Sequence, residues 1–335
     1  MAKIHILGAE SLGVRGLSCC VENDDHKILI DPGVALGYTR WGLHPHPLQA
    51  VVGYIVCSKI ARFWRDADYV VFTHMHGDHI PLYNANPFQL DLYMLDHHGE
   101  KKIIAPSPHI LSTKEKIRLE KIREIYREKL IMIGWRAAEI GPVKVYGPYP
   151  HGLSRSGVYA VYIDSDLPVL HLSDTGLLVE DVIRLVRDLR PDIVVTDGPP
   201  IYRYMHNKVM ANDLLVKARQ NLERMIGYAD KVIVDHHINR CDEGYQWINS
   251  VRREYSCIMT GAEYMGEKPL MLESWRRTLY RLLPEDNYWF RENYRETIEK
   301  YRVILRELIT RIRNDTKQSN EASFSLLLSK ILAKK

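Results

Sequence analysis

Apolar positions come first in short runs and later in spaced stripes. Residues 3–8, 17–22 and 27–30 are runs of strand length. Between them lie the polar, glycine-bearing stretch 9–16 and the turn residues Asn23-Asp24-Asp25-His26. These runs predict a three-stranded meander whose last strand ends in Asp31-Pro32-Gly33. Residues 35–67 are a longer connection: His44-Pro45-His46-Pro47 is too proline-rich for a regular element, and 48–64 reads as a helix. Tyr69-Val70-Val71-Phe72 reads as a buried strand. Residues 80–96 predict a short helix and a loop, and 102–105 a short strand. A charged helix follows over 112–130, capped by Ser112 or Thr113, with Ile117, Leu119, Ile122, Ile125 and Tyr126 as its stripe.

From residue 143 the period changes. Strands at 143–146, 158–163, 169–172, 192–196 and 231–234 alternate with helices at 177–189 and 212–228, the second capped by Asn212 or Asp213. Hairpins followed by strand–helix repeats predict an α/β fold, a four-layer αββα sandwich with two sheets face to face and helices outside. Beyond residue 273 helical spacing takes over, at 275–283 and 289–312, with Tyr301, Ile304, Leu305, Leu308 and Ile312 in one stripe. Ser319 or Asn320 would cap a last helix holding Phe324, Leu327, Leu328 and Ile331. The expected division is a domain over 1–270 and a helical C-terminal extension over 271–335. The extension would pack on the sandwich, form a homo-oligomer interface or contact RNA.

The chemistry concentrates in Thr73-His74-Met75-His76-Gly77-Asp78-His79, directly behind a strand. His74 and His76 alternate, so in an extended loop both point the same way. Asp78 and His79 follow a glycine that lets the backbone turn and aim them at a second point. Three imidazoles and a carboxylate packed together gain little without a metal, so the spacing points to two ions, typically about 3.5–4 Å apart in hydrolytic pairs. Other apolar strands also end in ligand-type residues: Leu172 leads into Asp174, Val195 into Asp197, and Val234 into His236 and His237, while His151 follows a Gly-Pro-Tyr-Pro turn. Rigid strands would thus deliver polar groups to one rim. His44, His46 and the Asp96-His97-His98 stretch lack this setting and read as surface loops or pocket rims.

The pattern His-x-His-x-Asp-His behind a strand resembles the metallo-β-lactamase superfamily, over roughly residues 3–245. Within it the chain looks most similar to a largely archaeal group of predicted metal-dependent hydrolases. The resemblance implies the same αββα sandwich. It implies one metal on His74, His76 and His151, a second on Asp78, His79 and His236, and Asp174 bridging both. Asp31, in Asp-Pro-Gly, would support the ligands from behind, as could Asp197. Adjacent His237 is the alternative last ligand, although Arg240, four residues after His236, repeats a ribonuclease Z pattern. Histidine-rich ligation favours Zn²⁺, with Mn²⁺ or Fe as alternatives.

Such a centre ionises a water between the cations for attack on an ester-type or phosphodiester substrate. Asp78 and Asp174 are the catalytic carboxylates, and Asp78 could pass a proton to the leaving group. Both carboxylates leave a net positive site suited to a small anionic substrate. Two other readings stay open: a nuclease of the same fold, and a non-enzymatic metal-binding protein. Against a tRNA-processing role, there is no inserted second nuclease domain and no ribonuclease Z-type arm.

Composition narrows the setting. The 335 residues are 46% hydrophobic and 26% charged, which is ordinary for a globular protein. A net charge of +4 is too weak by itself to argue for nucleic acid. Five scattered cysteines without a CxxC pair predict a reducing, cytoplasmic setting. Met1-Ala2-Lys3-Ile4-His5 shows no basic leader, and no run of 18 uncharged apolar residues predicts a membrane span. Abundant Lys, Arg, Glu, Tyr and Ile with little Gln suit a thermophile.

Overall fold

A computed structural model of the chain describes residues 2–152, 157–314 and Phe324. The first sheet holds β1 (Lys3–Ala9), β2 (Leu17–Glu22), β3 (Lys27–Ile30), β4 (Tyr69–Val71), β5 (Lys102–Pro106) and β6 (Leu130–Ile133), in that spatial order. The second holds β7 (Ala138–Ile140), β8 (Val143–Pro150), β9 (Gly157–Ile163), β10 (Val169–Ser173), β11 (Ile193–Asp197), β12 (Lys231–Asp235) and β13 (Ile258–Met259), again in chain order. In both sheets an antiparallel meander turns into parallel pairing: β1 to β3 and β7 to β10 are antiparallel, β3 to β6 and β10 to β13 parallel. The helices are α1 (Pro47–Asp66), α2 (Thr113–Tyr126), α3 (Glu180–Leu189), α4 (Lys208–Ile226), α5 (Asp242–Glu254), α6 (Gly261–Tyr264), α7 (Arg276–Leu282) and α8 (Tyr294–Asn314).

Three apolar layers separate four layers of structure, as the αββα expectation requires. Ile6, Leu17, Ile28 and Val71 from one sheet meet Val145, Val161, Val195 and Ile233 from the other. Alternate residues of the same strands face outward: Leu29 and Val70 toward α1 and α2, Val194 and Val232 toward α3 and α4. Strands buried on both faces read as unbroken apolar runs, which is why β4, β11 and β12 are visible in the sequence. Ser112 caps α2 in a reciprocal box with Glu115, as expected.

The C-terminal extension packs on the first helical layer. Ile298, Tyr301, Ile304, Leu305 and Leu308 of α8 join Val51 and Val56 of α1 in one apolar cluster that also holds Trp275, Leu279 and Phe72. Phe324 stacks on Trp275 at 4.7 Å between ring centres. The side chain of Ile312, and Ser319, Asn320, Leu327, Leu328 and Ile331 of the expected last helix, lie outside the described residues. Buried Glu273 ties the extension down, facing Arg15 and Arg40 of the sandwich and Arg276 of α7.

Several expectations need correction. His44 and His46 are neither surface nor pocket residues. His46 caps α1, its Nδ1 accepting from the Leu48 amide and its Nε2 facing the Leu283 carbonyl at 2.9 Å. His44 is wedged among Tyr38, Tyr288 and Phe290. Asn207, not Asn212 or Asp213, caps the helix that becomes α4, which starts a turn earlier than its apolar stripe suggests. Residues 80–96 contain one 3-10 turn, Leu92–Met94, and no α-helix. His97 bonds the Tyr126 hydroxyl at 2.7 Å, while Asp96 accepts from the His98 amide. Among the described residues no helix is long and apolar enough to cross a membrane.

Candidate metal centre

One rim of the two sheets carries the polar groups. Asp31 follows β3, the Thr73–His79 loop follows β4, Asp174 follows β10, Asp197 ends β11, and His236 and His237 follow β12. The rim is held in an unfavourable backbone geometry. Asp31, Ser173 and His236 have φ of 47°, 48° and 65°, a region that costs a non-glycine residue of order 1–3 kcal/mol. Gly33 packs so tightly on the His79–Ile80 peptide that a Cβ there would lie 2.3 Å from backbone atoms. This is the close approach for which Asp-Pro-Gly needs its glycine.

Asp174 is the centre of the array. Its Oδ2 lies 2.9 Å from His151 Nε2, 3.3 Å from His79 Nε2, 3.5 Å from His74 Nε2 and 3.8 Å from His237 Nε2. Its Oδ1 lies 3.6 Å from His236 Nε2. Two sets of donor atoms meet beside it. His74, His76, His151 and Asp174 form one group, and Asp78, His79 and His236 another, each with ligand atoms within 4.8 Å of one another. Asp174, His236 and His237 form a further overlapping group. All ten residues expected at the site are thus at one place, and both histidines of the adjacent pair reach it.

The imidazoles are aimed by partners behind them. His79 Nδ1 meets Asp31 Oδ2 at 3.0 Å, and Thr73 and Ser173 donate their hydroxyls to the same carboxylate. His237 Nδ1 meets Asp197 Oδ2 at 2.7 Å, and the Gly176 amide donates to the other Asp197 oxygen. His236 Nδ1 meets Glu10 Oε2 at 2.6 Å. Each carboxylate fixes a tautomer that leaves Nε2 pointing at Asp174, the arrangement metal-ligating histidines use. Arg240 binds three groups at once: Glu10 through Nε at 2.5 Å, Tyr202 OH through Nη1 at 3.1 Å, and Asp78 Oδ2 through Nη2 at 2.9 Å.

Glu10 was invisible in the sequence. It lies in a 3-10 turn after β1, in a stretch that reads only as polar and glycine-bearing, 226 residues from His236. Complete burial of a carboxylate beside Arg240 is its signal, and only the fold reveals burial. Nothing in the sequence marks Thr73 and Ser173 as Asp31's partners either.

Charges at the rim follow from burial and proximity. Burial alone would raise the Asp174 carboxyl, yet the imidazoles of His79, His237 and His236 hold it well below the usual range. Asp78 is also held low, against burial, by His79 and Arg240. Burial works against charge on His79, but Asp174 and Asp31 outweigh it and raise its pKa well above the ordinary value. His236 is likewise raised, to about 9, because Glu10 overcomes burial. Burial and the neighbouring imidazoles lower His74, take His76 to about 2, and leave His237 neutral. Burial and nearby Asp174 push Asp197 up.

A metal fits these residues. Buried His74 Nε2 and Asp174 Oδ1 have no hydrogen-bond partner among the described residues. Two such unsatisfied atoms in a closed polar cluster are costly unless something binds them. His74 and His76, held neutral, and Asp78 and Asp174, held ionised, are in the forms that bind a cation, while binding at His79 and His236 would displace a proton.

Two mixed sheets face to face, helices outside and a histidine–aspartate rim define a protein of metallo-β-lactamase fold. The sequence matches no family model. A UPF0282 protein of the archaeon Methanosarcina mazei is 32% identical over 294 residues, spanning 86% of this chain and 94% of the relative. The chain belongs to the UPF0282 family. A further UPF0282 protein, from Pyrococcus furiosus, is 29% identical over 297 residues, 83% of this chain and 92% of its own. Similar solved structures include an isothiocyanate hydrolase from Delia radicum gut bacteria, with TM-score 0.44, 11% identity, and 78% of this chain and 95% of that one covered. An N-acyl homoserine lactone hydrolase matches with TM-score 0.32 and 11% identity, over 70% of this chain and 91% of its own.

Proposed function

We propose that the protein is a dinuclear metal-dependent hydrolase acting on an ester-type or phosphodiester bond. The observation that carries this reading is the pair of donor groups adjoining Asp174, with His74 Nε2 and Asp174 Oδ1 left unpaired in a buried cluster. His74, His76 and His151 would hold one cation, Asp78, His79 and His236 the other, with Asp174 between them. Imidazole-rich ligation favours Zn²⁺. Metal ions held there would supply an ionised water at neutral pH and offset the charge that develops on the substrate.

The chain's own residues supply the rest. Asp31, Glu10 and Asp197 set the imidazole tautomers, so that no ligand has to reorient. Arg240 donates to Asp78 Oδ2, which holds that carboxylate ionised and turned toward the site it would share with His79 and His236. His237, neutral on Nε2 and backed by Asp197, faces the open side and borders the substrate. The five free cysteines, four of them buried, support a reducing, cytoplasmic setting.

The test is metal analysis with a turnover panel of esters, lactones, thioesters, phosphodiesters and oligonucleotides, on wild type and His76→Ala. We expect two equivalents of metal in wild type, and loss of both turnover and one equivalent in the variant. Turnover of oligonucleotides alone would redirect the reading to a nuclease. Metal retained without any turnover would redirect it to a binding protein. A metal-free protein unaffected by added zinc would overturn it.

A further inference from the structure

A cavity of about 150 Å³ opens over the candidate centre. Asp174, His151 and His237 border it on the inner side, and Pro200, Arg203 and Tyr204 on the outer. Arg203 ends a 3-10 turn, Ile201–Arg203, that is pinned in place. Ile201 is buried, two prolines precede it, and a Cβ at Gly198 would run into Ile238 at 2.5 Å. Arg203 is therefore presented from a stiff support although its side chain is exposed.

Three guanidinium groups lie within 6.0 Å of the Tyr202 ring centre: Arg40, Arg203 and Arg240. Their charges are not equivalent. Arg240 is paired with Glu10 and Asp78, and Arg40 faces Glu273 at 3.7 Å. Arg203 has no carboxylate partner among the described residues; its Nε donates to Tyr202 OH at 3.1 Å. Tyr202 OH also accepts from Arg240, so two donors fix the phenol and the phenol fixes the Arg203 fork. Of the cavity's own acids, Asp197 is held by His237 and the Gly176 amide, and Asp174 meets His151 through Oδ2, its Oδ1 being the unpaired atom of the candidate centre.

We infer that Arg203 is a specificity-determining residue that binds a compact oxyanion on the substrate, carried beside the bond that is cut. A held guanidinium with its outer N–H groups free matches a carboxylate or a phosphoryl group through two parallel hydrogen bonds. The cavity has room for a small group of that kind. This deepens the hydrolase reading and rests on it only for the position of the cleaved bond.

Calorimetric titration of the zinc-loaded protein with methylphosphonate and with acetate tests it, on wild type, Arg203→Gln and Arg203→Lys. Metal content is measured on the same samples. With metal unchanged, Arg203→Gln should weaken one probe roughly 10- to 100-fold, as expected for losing a charge-assisted pair. Arg203→Lys should retain part of the affinity, because it keeps the charge and loses the fork. A larger loss for methylphosphonate assigns a phosphoryl group, and a larger loss for acetate a carboxylate. Equal binding of both probes to wild type and Arg203→Gln, with metal retained, overturns the inference and leaves the hydrolase reading standing. Absence of metal from wild type overturns that reading instead.

Discussion

Glu10→Gln is the substitution that separates the support of the centre from its ligands. The carboxylate is fully buried and joins His236 Nδ1 and Arg240 Nε, so removing its charge leaves the buried Arg240 guanidinium facing Asp78 alone. Breaking a buried pair costs about 3–5 kcal/mol, and glutamine's remaining acceptor places the loss at the low end, about 3 kcal/mol. For a chain of this length that is roughly 4 °C in melting temperature. His236 also loses the partner that sets its tautomer, and changes of that kind weaken metal binding by roughly 10–100-fold. Thermal unfolding of the metal-free protein reads the first effect, and competition against a chromogenic chelator reads the second. A variant that melts within about 1 °C of wild type and binds zinc as tightly would refute the idea that Glu10 holds this side of the site.

Two further outcomes follow from the same structure. Burial would raise Glu273, but Arg15, Arg276 and Arg40 lower it to about 2 from an ordinary 4.5. Its contribution is therefore present above pH 4.5 and disappears as pH falls through about 2. Acid unfolding of Glu273→Gln should lose that steep dependence, together with roughly 3 kcal/mol of stability at neutral pH; an unchanged acid transition would contradict the ion cluster. Cys19, Cys20, Cys57 and Cys241 are buried, and burial pushes the Cys19, Cys57 and Cys241 thiols up to about 12. A thiol reagent should thus label Cys257 alone in the native protein; prompt labelling of the others would show that the core is looser than described.

What the sequence made legible has a common cause. β3, β4, β10, β11 and β12 are buried on both faces, so their apolar runs end abruptly where the polar rim begins. Asp31, His74, Asp174, Asp197 and His236 stand at those ends. The Thr73–His79 loop is dense enough in donors to speak for itself. Edge elements were harder. β6 and β7 are short and partly exposed, so the alternation that marks them is weak, and β6 merged with the helix before it. His44 and His46 mimic the ligand spacing, yet their partners are the Tyr38 carbonyl and the Leu283 carbonyl. Only the packing of α7 and α8 puts the latter beside the start of α1. Glu10 is the clearest case of a residue whose role depends on contacts made more than 200 positions away. The choice between His236 and His237 was open for a physical reason: both are backed by a carboxylate and both aim Nε2 at Asp174. Proximity to Asp78 and His79 favours His236.

Anomalous diffraction at the zinc absorption edge, from crystals grown with zinc, reads the central claim without any substrate. The account predicts two peaks about 3.5–4 Å apart, one among His74, His76 and His151, the other among Asp78, His79 and His236, with Asp174 touching both. A single peak, or none beside Asp174, would contradict it.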